Sequence, residues 1–187
     1  MKCVDSIYFT EEIIKKSRFV GIIAPCNSEH DIAKALTIIQ QQHPTANHLA
    51  FAFRITTPKG IIYRFHDAGE PSGTAGKPIF KHLEGKDLIN TLIAVVRYFG
   101  GIKLGAGGLT RAYGNSARQA IEGSSIVPYV EYQNIRLNLD YNQLKPLDYQ
   151  LKQLKGTIIE QNFSDKVEIL VQVPADYAEM LVEQFSR

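Results

Sequence analysis

Two glycine-rich segments bracket one unbroken apolar run, and nothing else in the 187-residue chain restricts its folding as much. Residues 92–99 (LIAVVRYF) are apolar and rich in β-branched side chains, the pattern of a buried strand. Ahead of them, residues 67–76 (DAGEPSGTAG) hold too many glycines and small side chains for a regular element. That composition predicts a shaped loop, followed by a short helix over 78–84 that starts at a proline. Behind the run, residues 100–108 (GGIKLGAGG) break the strand abruptly. Leu109, Ala112, Tyr113, Ala117, Ala120 and Ile121 then recur at helical spacing, with Arg111, Asn115, Arg118 and Glu122 on the opposite face.

The remaining elements follow from periodicity. Ser28-x-x-Asp31 resembles a capping box and opens a helix carried by Ile32, Ala35, Leu36 and Ile39, which ends by His43-Pro44. A strand is expected over 18–24. Over 48–55, Leu49, Phe51, Phe53 and Ile55 share one face and leave His48 and Arg54 on the other. The turn Pro58-Lys59-Gly60 joins that strand to the next, over 60–66, as an antiparallel hairpin. After Pro128 a simpler pattern begins: strand 134–141, helix 143–155, strands 157–163 and 167–173, helix 175–185. This β-α-β-β-α order is a ferredoxin-like domain lacking its last strand. The expected chain is therefore α+β, with domains at residues 1–128 and 129–187.

Charge divides at the same place. The net charge of +2 conceals 15 Lys/Arg against 10 Asp/Glu up to Pro128, and 6 against 9 beyond it. Residues 88–121 contain no acid but carry Arg97, Lys103, Arg111 and Arg118, a surface that would attract an anionic partner. No apolar run approaches the roughly 18 residues needed to cross a bilayer. Asp5, Glu11 and Glu12 fall where a secretory signal would be apolar, so a cytoplasmic protein without membrane partners is expected. Cys3 and Cys26 form no CxxC pair, and neither a disulfide framework nor a zinc site is implied.

Neither glycine segment matches a phosphate-binding fingerprint: GGIKLGAGG lacks the closing GK[ST] and the GxGxxG spacing. His48, His66, Asp67, Glu70 and Arg97 are the groups able to imitate an acid/base site. HExxH and GxSxG are both missing, the histidines lack paired metal-ligand spacing, and no metal or cofactor is expected. Tyr98 and Phe99, next to Arg97, are aromatic side chains of the kind that stack on bases.

GEPSGTAGKPI at 69–79, RYFGGIKLGAGGL at 97–109 and Arg111-Ala112-Tyr113, with SRF at 17–19 upstream, closely resemble the signature of the IMPACT/YigZ family. The resemblance covers nearly the whole chain. It departs at Ala68, where many relatives have a second acid, and in a shorter C-terminal module. It implies an N-terminal domain like domain two of a small-subunit ribosomal protein and domain four of elongation factor G, followed by the ferredoxin-like domain. It also implies relatives that regulate translation initiation in eukaryotes. The leading expectation is a translation-associated regulatory protein that binds RNA, the ribosome or a translation-related protein. Arg97, Lys103, Arg111 and Arg118 would form its basic face, Tyr98 would bind beside Arg97, and Gly69, Glu70, Ser72 and Thr74 would be its loop contacts. Two alternatives stand beside it: an enzyme or small-ligand sensor using Asp67, Glu70 and His48, and a protein–protein regulator without nucleic-acid affinity. Read as a surface position, Glu70 should tolerate Glu70→Gln within about 0.5 kcal/mol.

Overall fold

The computed structural model describes residues 1–185, so the last two residues of the expected second domain, Ser186 and Arg187, lie outside the described residues. The chain forms two compact units, the first Met1–Tyr129, the second beginning at Val130. In order, the first unit contains β1 (Lys2–Val4), β2 (Tyr8–Ile14), β3 (Ser17–Pro25), α1 (Glu29–Gln42), β4 (His48–Thr57), β5 (Gly60–His66), α2 (Gly76–Gly85), β6 (Thr91–Tyr98), α3 (Gly105–Gly123) and β7 (Ile126–Pro128).

The apolar run becomes β6, the centre of a five-stranded antiparallel sheet of order β2-β3-β6-β4-β5. Its unbroken hydrophobicity has a direct cause, because helices cover both faces. Ile93 and Val95 pack with Leu83, Tyr113 and Ala117 of α2 and α3, whereas Leu92, Ala94 and Val96 join the clusters that contain Ile32 and Ile39 of α1. Each fully buried leucine, isoleucine or valine among them contributes about 1.5–3 kcal/mol. On β4 the expected alternation appears: Phe53 and Ile55 face α1, and Ala50 and Ala52 face α2 and α3.

Helix α1 is capped by Ser28, whose Oγ accepts from the Asp31 backbone N–H at 3.1 Å. The expected capping box forms only by half, because the Asp31 carboxylate accepts from the Asn27 N–H instead. Helix α3 begins at Gly105, so much of GGIKLGAGG is helical rather than a loop. Glycine costs a helix about 1 kcal/mol per residue, and the buried stripe from Leu109 to Ile121 outweighs that. Two other glycines are required by contact. A Cβ on Gly100 would lie 2.0 Å from the Lys16 carbonyl, and one on Gly76 2.6 Å from the His66 nitrogen.

Strands β1, β2 and β7 carry no clear sequence signal. The edge strand β2 leaves Tyr8, Phe9 and Ile13 exposed, and β1 and β7 are three-residue strands that pair with each other, Lys2 opposite Pro128, with Lys2 also bridged to Leu88.

The second unit contains β8 (Tyr132–Leu139), α4 (Leu144–Leu154), β9 (Thr157–Phe163), β10 (Val167–Pro174) and α5 (Ala178–Phe185). Its antiparallel sheet has the order β8-β10-β9, that of a ferredoxin-like sheet without a fourth strand among the described residues. Leu137, Leu139, Leu147, Leu151, Ile169, Val171, Leu181 and Phe185 form its core. Strand β8 starts and ends two residues before the expected 134–141, because Asp140 leaves the strand to cap the following turn. Among the described residues, no helix is long and apolar enough to cross a membrane.

Candidate anion-binding groove and its supporting loop

Strand register gathers the first group of candidate residues. Arg97 on β6 lies opposite His48 on β4 and Phe19 on β3, and directly opposed residues project from the same face of a sheet. Here that face carries α2, α3 and the loop over residues 67–75. Glu70 enters from the loop, and its Oε1 accepts from Arg97 Nη1 at 2.6 Å and from the Tyr113 hydroxyl at 2.7 Å. The side chains of Glu70 and Arg97 are only 4% and 6% exposed, so this is a buried ion pair. His48 Nδ1 donates to the Ala68 carbonyl at 2.8 Å, and its Nε2 lies 3.7 Å from Glu70 Oε1. Burial, and then the Glu70 carboxylate, push the Tyr113 hydroxyl well above the usual phenol range.

Asp67 ties the other end of the loop. Its Oδ1 accepts from the Ala75 and Gly76 N–H groups, and its Oδ2 from Gly73. Burial works to raise its pKa, but the three backbone donors prevail and the net shift is downward. Thr74 is buried and donates its hydroxyl to the Pro71 carbonyl. Ser72 and Gly69 are exposed. Asp67, Glu70 and Thr74 therefore use their polar atoms inside the protein to fix the shape of the loop.

The basic face has a different membership from the one expected. Arg97 does not belong to it, because its place on the helix-covered face of a central strand buries it against Glu70 and over the Phe19 and Phe99 rings. Tyr98 points to the other face of the sheet, where its hydroxyl lies 2.7 Å from His43 Nδ1 and Arg18 covers its ring. Adjacent residues of a strand face opposite ways, so Arg97 and Tyr98 cannot share a surface. Lys103 is exposed on the connection before α3.

Arg111 and Arg118 do share a feature, a groove of about 560 Å³ between α2 and α3. Lys77, Lys81 and His82 of α2 form its other wall together with Pro78, and Gly114 and Asn115 lie on the α3 side. The lining contains no acid. Arg118 is held in place by Glu122, which accepts two bonds at 3.0 Å, and by Asn115. Partial burial first, then the charges of Arg118 and Lys86, lower the His82 pKa, so the imidazole is neutral at neutral pH. Sequence reading missed Lys77 and Lys81 because they precede the acid-free stretch. Their i, i+4 spacing puts them on one face of α2, which starts at Gly76, ahead of the expected 78–84, and the pairing of that helix with α3 is a tertiary fact. Among the described residues, no group of three or more His, Cys, Asp or Glu side chains is gathered as a metal ion would require.

Fold and site together define a two-unit α+β protein with an internally tied loop and a cation-lined groove between two helices. Residues 15–121 match the Impact N-terminal domain, and residues 137–186 match a domain of unknown function (DUF1949). The chain belongs to the IMPACT family. It is 36% identical over 177 residues to an IMPACT family member from Haemophilus influenzae, covering 94% of this chain and 84% of that one. It is likewise 36% identical over 168 residues to the IMPACT family member YigZ of Escherichia coli, covering 88% and 81%. A crystal structure of a hypothetical protein superposes with a TM-score of 0.73 at 31% identity, covering 98% of this chain and 89% of that one.

Proposed function

We propose that this chain is a translation-associated regulatory protein that binds RNA or the ribosome through the groove between α2 and α3. The observation that carries the reading is the convergence of Lys77, Lys81, Arg111 and Arg118 on a groove whose lining holds no carboxylate. Such a surface draws in polyanions, and each phosphate it neutralises releases condensed counterions. The link to translation, and with it a cytoplasmic site of action, is supported by the family resemblance. Glu70 offers the acid/base alternative less, since its carboxylate is buried and already accepts from Arg97 and Tyr113.

The test is ribosome co-sedimentation from a lysate at low and high salt, with purified RNA measured in parallel. Arg118 is neutralised in part by Glu122, so Lys81→Glu with Arg111→Glu is the informative double variant. Binding by the parent should fall steeply as salt rises. The variant should bind at least about tenfold more weakly, with a shallower salt dependence. Undiminished binding by a folded double variant would remove the groove from the account, and salt-independent association would point to a protein partner.

A further inference from the structure

On the flank of α2 away from the groove, the edge strand β5 presents Ile61, Tyr63 and Phe65, which are 44%, 56% and 43% exposed. These alternate residues share the face toward α2, and Phe80 of α2 completes the patch. Its ring centroid lies 4.8 Å from that of Tyr63, with planes 25° apart, and 5.5 Å from that of Phe65. Core aromatics would be covered. These form an open, preassembled platform, and its Phe80 lies within one turn of Lys77 and next to Lys81 in sequence.

We infer that the groove and this platform together bind single-stranded RNA, with phosphates among the α2 and α3 cations and unpaired bases stacked on Tyr63 and Phe65. The inference rests on the groove reading and narrows it. A helix is about 10 Å across, so a nucleotide chain can lay its backbone in the groove and turn its bases over α2. Charge complementarity selects the occupant. A protein interface depletes charge around its aromatic core, whereas here the helix that carries Phe80 also carries Lys77 and Lys81 on its groove side and a single acid, Glu84, in its last turn. Cations and rings thus stand on one short element, the pairing that single-strand binders use. A duplex offers its phosphates but hides the faces of its bases.

The experiment is fluorescence anisotropy with a labelled single-stranded RNA 12-mer and an RNA duplex of equal length, each at two salt concentrations. The parent should prefer the single strand. Tyr63→Ala should weaken that binding by about tenfold and leave the salt slope unchanged, while Tyr63→Phe, which keeps the ring, should bind like the parent. Lys81→Glu should instead lower the slope for both RNAs. Equal affinity for both RNAs with an unaffected Tyr63→Ala variant would overturn the inference and leave the groove reading standing. If neither RNA binds at low salt, the inference is overturned, and ribosome co-sedimentation decides the groove reading.

Discussion

Glu70 holds the signature loop from inside the protein, and its energetics differ from those of a surface carboxylate. Replacing it with glutamine would leave the Arg97 guanidinium buried without a counter-charge, a change that costs about 3–5 kcal/mol. The expected outcome for Glu70→Gln is thus a large drop in the denaturant midpoint of the first unit, far beyond the 0.5 kcal/mol scale of a surface change. Chemical denaturation followed by circular dichroism checks this, and an unchanged midpoint would show that the pair is dispensable. The sequence marked Glu70, Arg97 and His48 as one chemical group. It could not show that the group faces inward, because that depends on the β4–β6 register, which places His48 opposite Arg97 although they are far apart in the chain. Local periodicity carries no register between distant strands.

Elements with strong periodicity were legible: β6, α1, the β4–β5 hairpin and the second unit all emerge close to their expected positions. Elements whose pattern is short or whose apolar residues are exposed were not, which is why β1, β2 and β7 escaped notice. The start of α3 was hidden for another reason, since glycine reads locally as a breaker even where a long buried stripe pulls it into a helix. Gly100 shows what one such residue does for neighbouring elements. It lets the exit of β6 pass against the β2–β3 turn, where Ser17 Oγ accepts from its N–H at 3.2 Å. Because the blocking atoms belong to the Lys16 backbone, Gly100→Ala has no side chain to push aside. It should lower the melting temperature by several degrees, as a loss of about 1–3 kcal/mol would. Gly107→Ala is the control. A Cβ there meets only the tip of Arg111 at 4.0 Å, and the variant should melt no lower than the parent.

At the scale of the whole molecule, two units with separate cores succeed one another in the chain, the first carrying the excess of basic residues. The structure leaves Tyr129, Val130 and Glu131 between β7 and β8, with Val130 and Glu131 exposed. Limited proteolysis should cut there first, giving fragments split between residues 129 and 132. Earlier cleavage within 92–121 would contradict that order. In the sequence, a charge change and a new periodic pattern coincide near Pro128.

The pairing of β1 with β7 brings the beginning and end of the first unit side by side, Lys2 against Pro128, with the Tyr129 N–H bonded to the Met1 carbonyl. A pull that separates those ends would load the bonds one after another, as in opening a zip, because the strands are antiparallel and their outer ends are the points of attachment. β1 is also held by Asp87 and Ile89 through its Lys2 backbone, whereas among the described residues β7 pairs with β1 alone. The strand to peel first is therefore β7, so a weak tug on the chain beyond it frees the tail of the first unit while its five-stranded sheet stays whole.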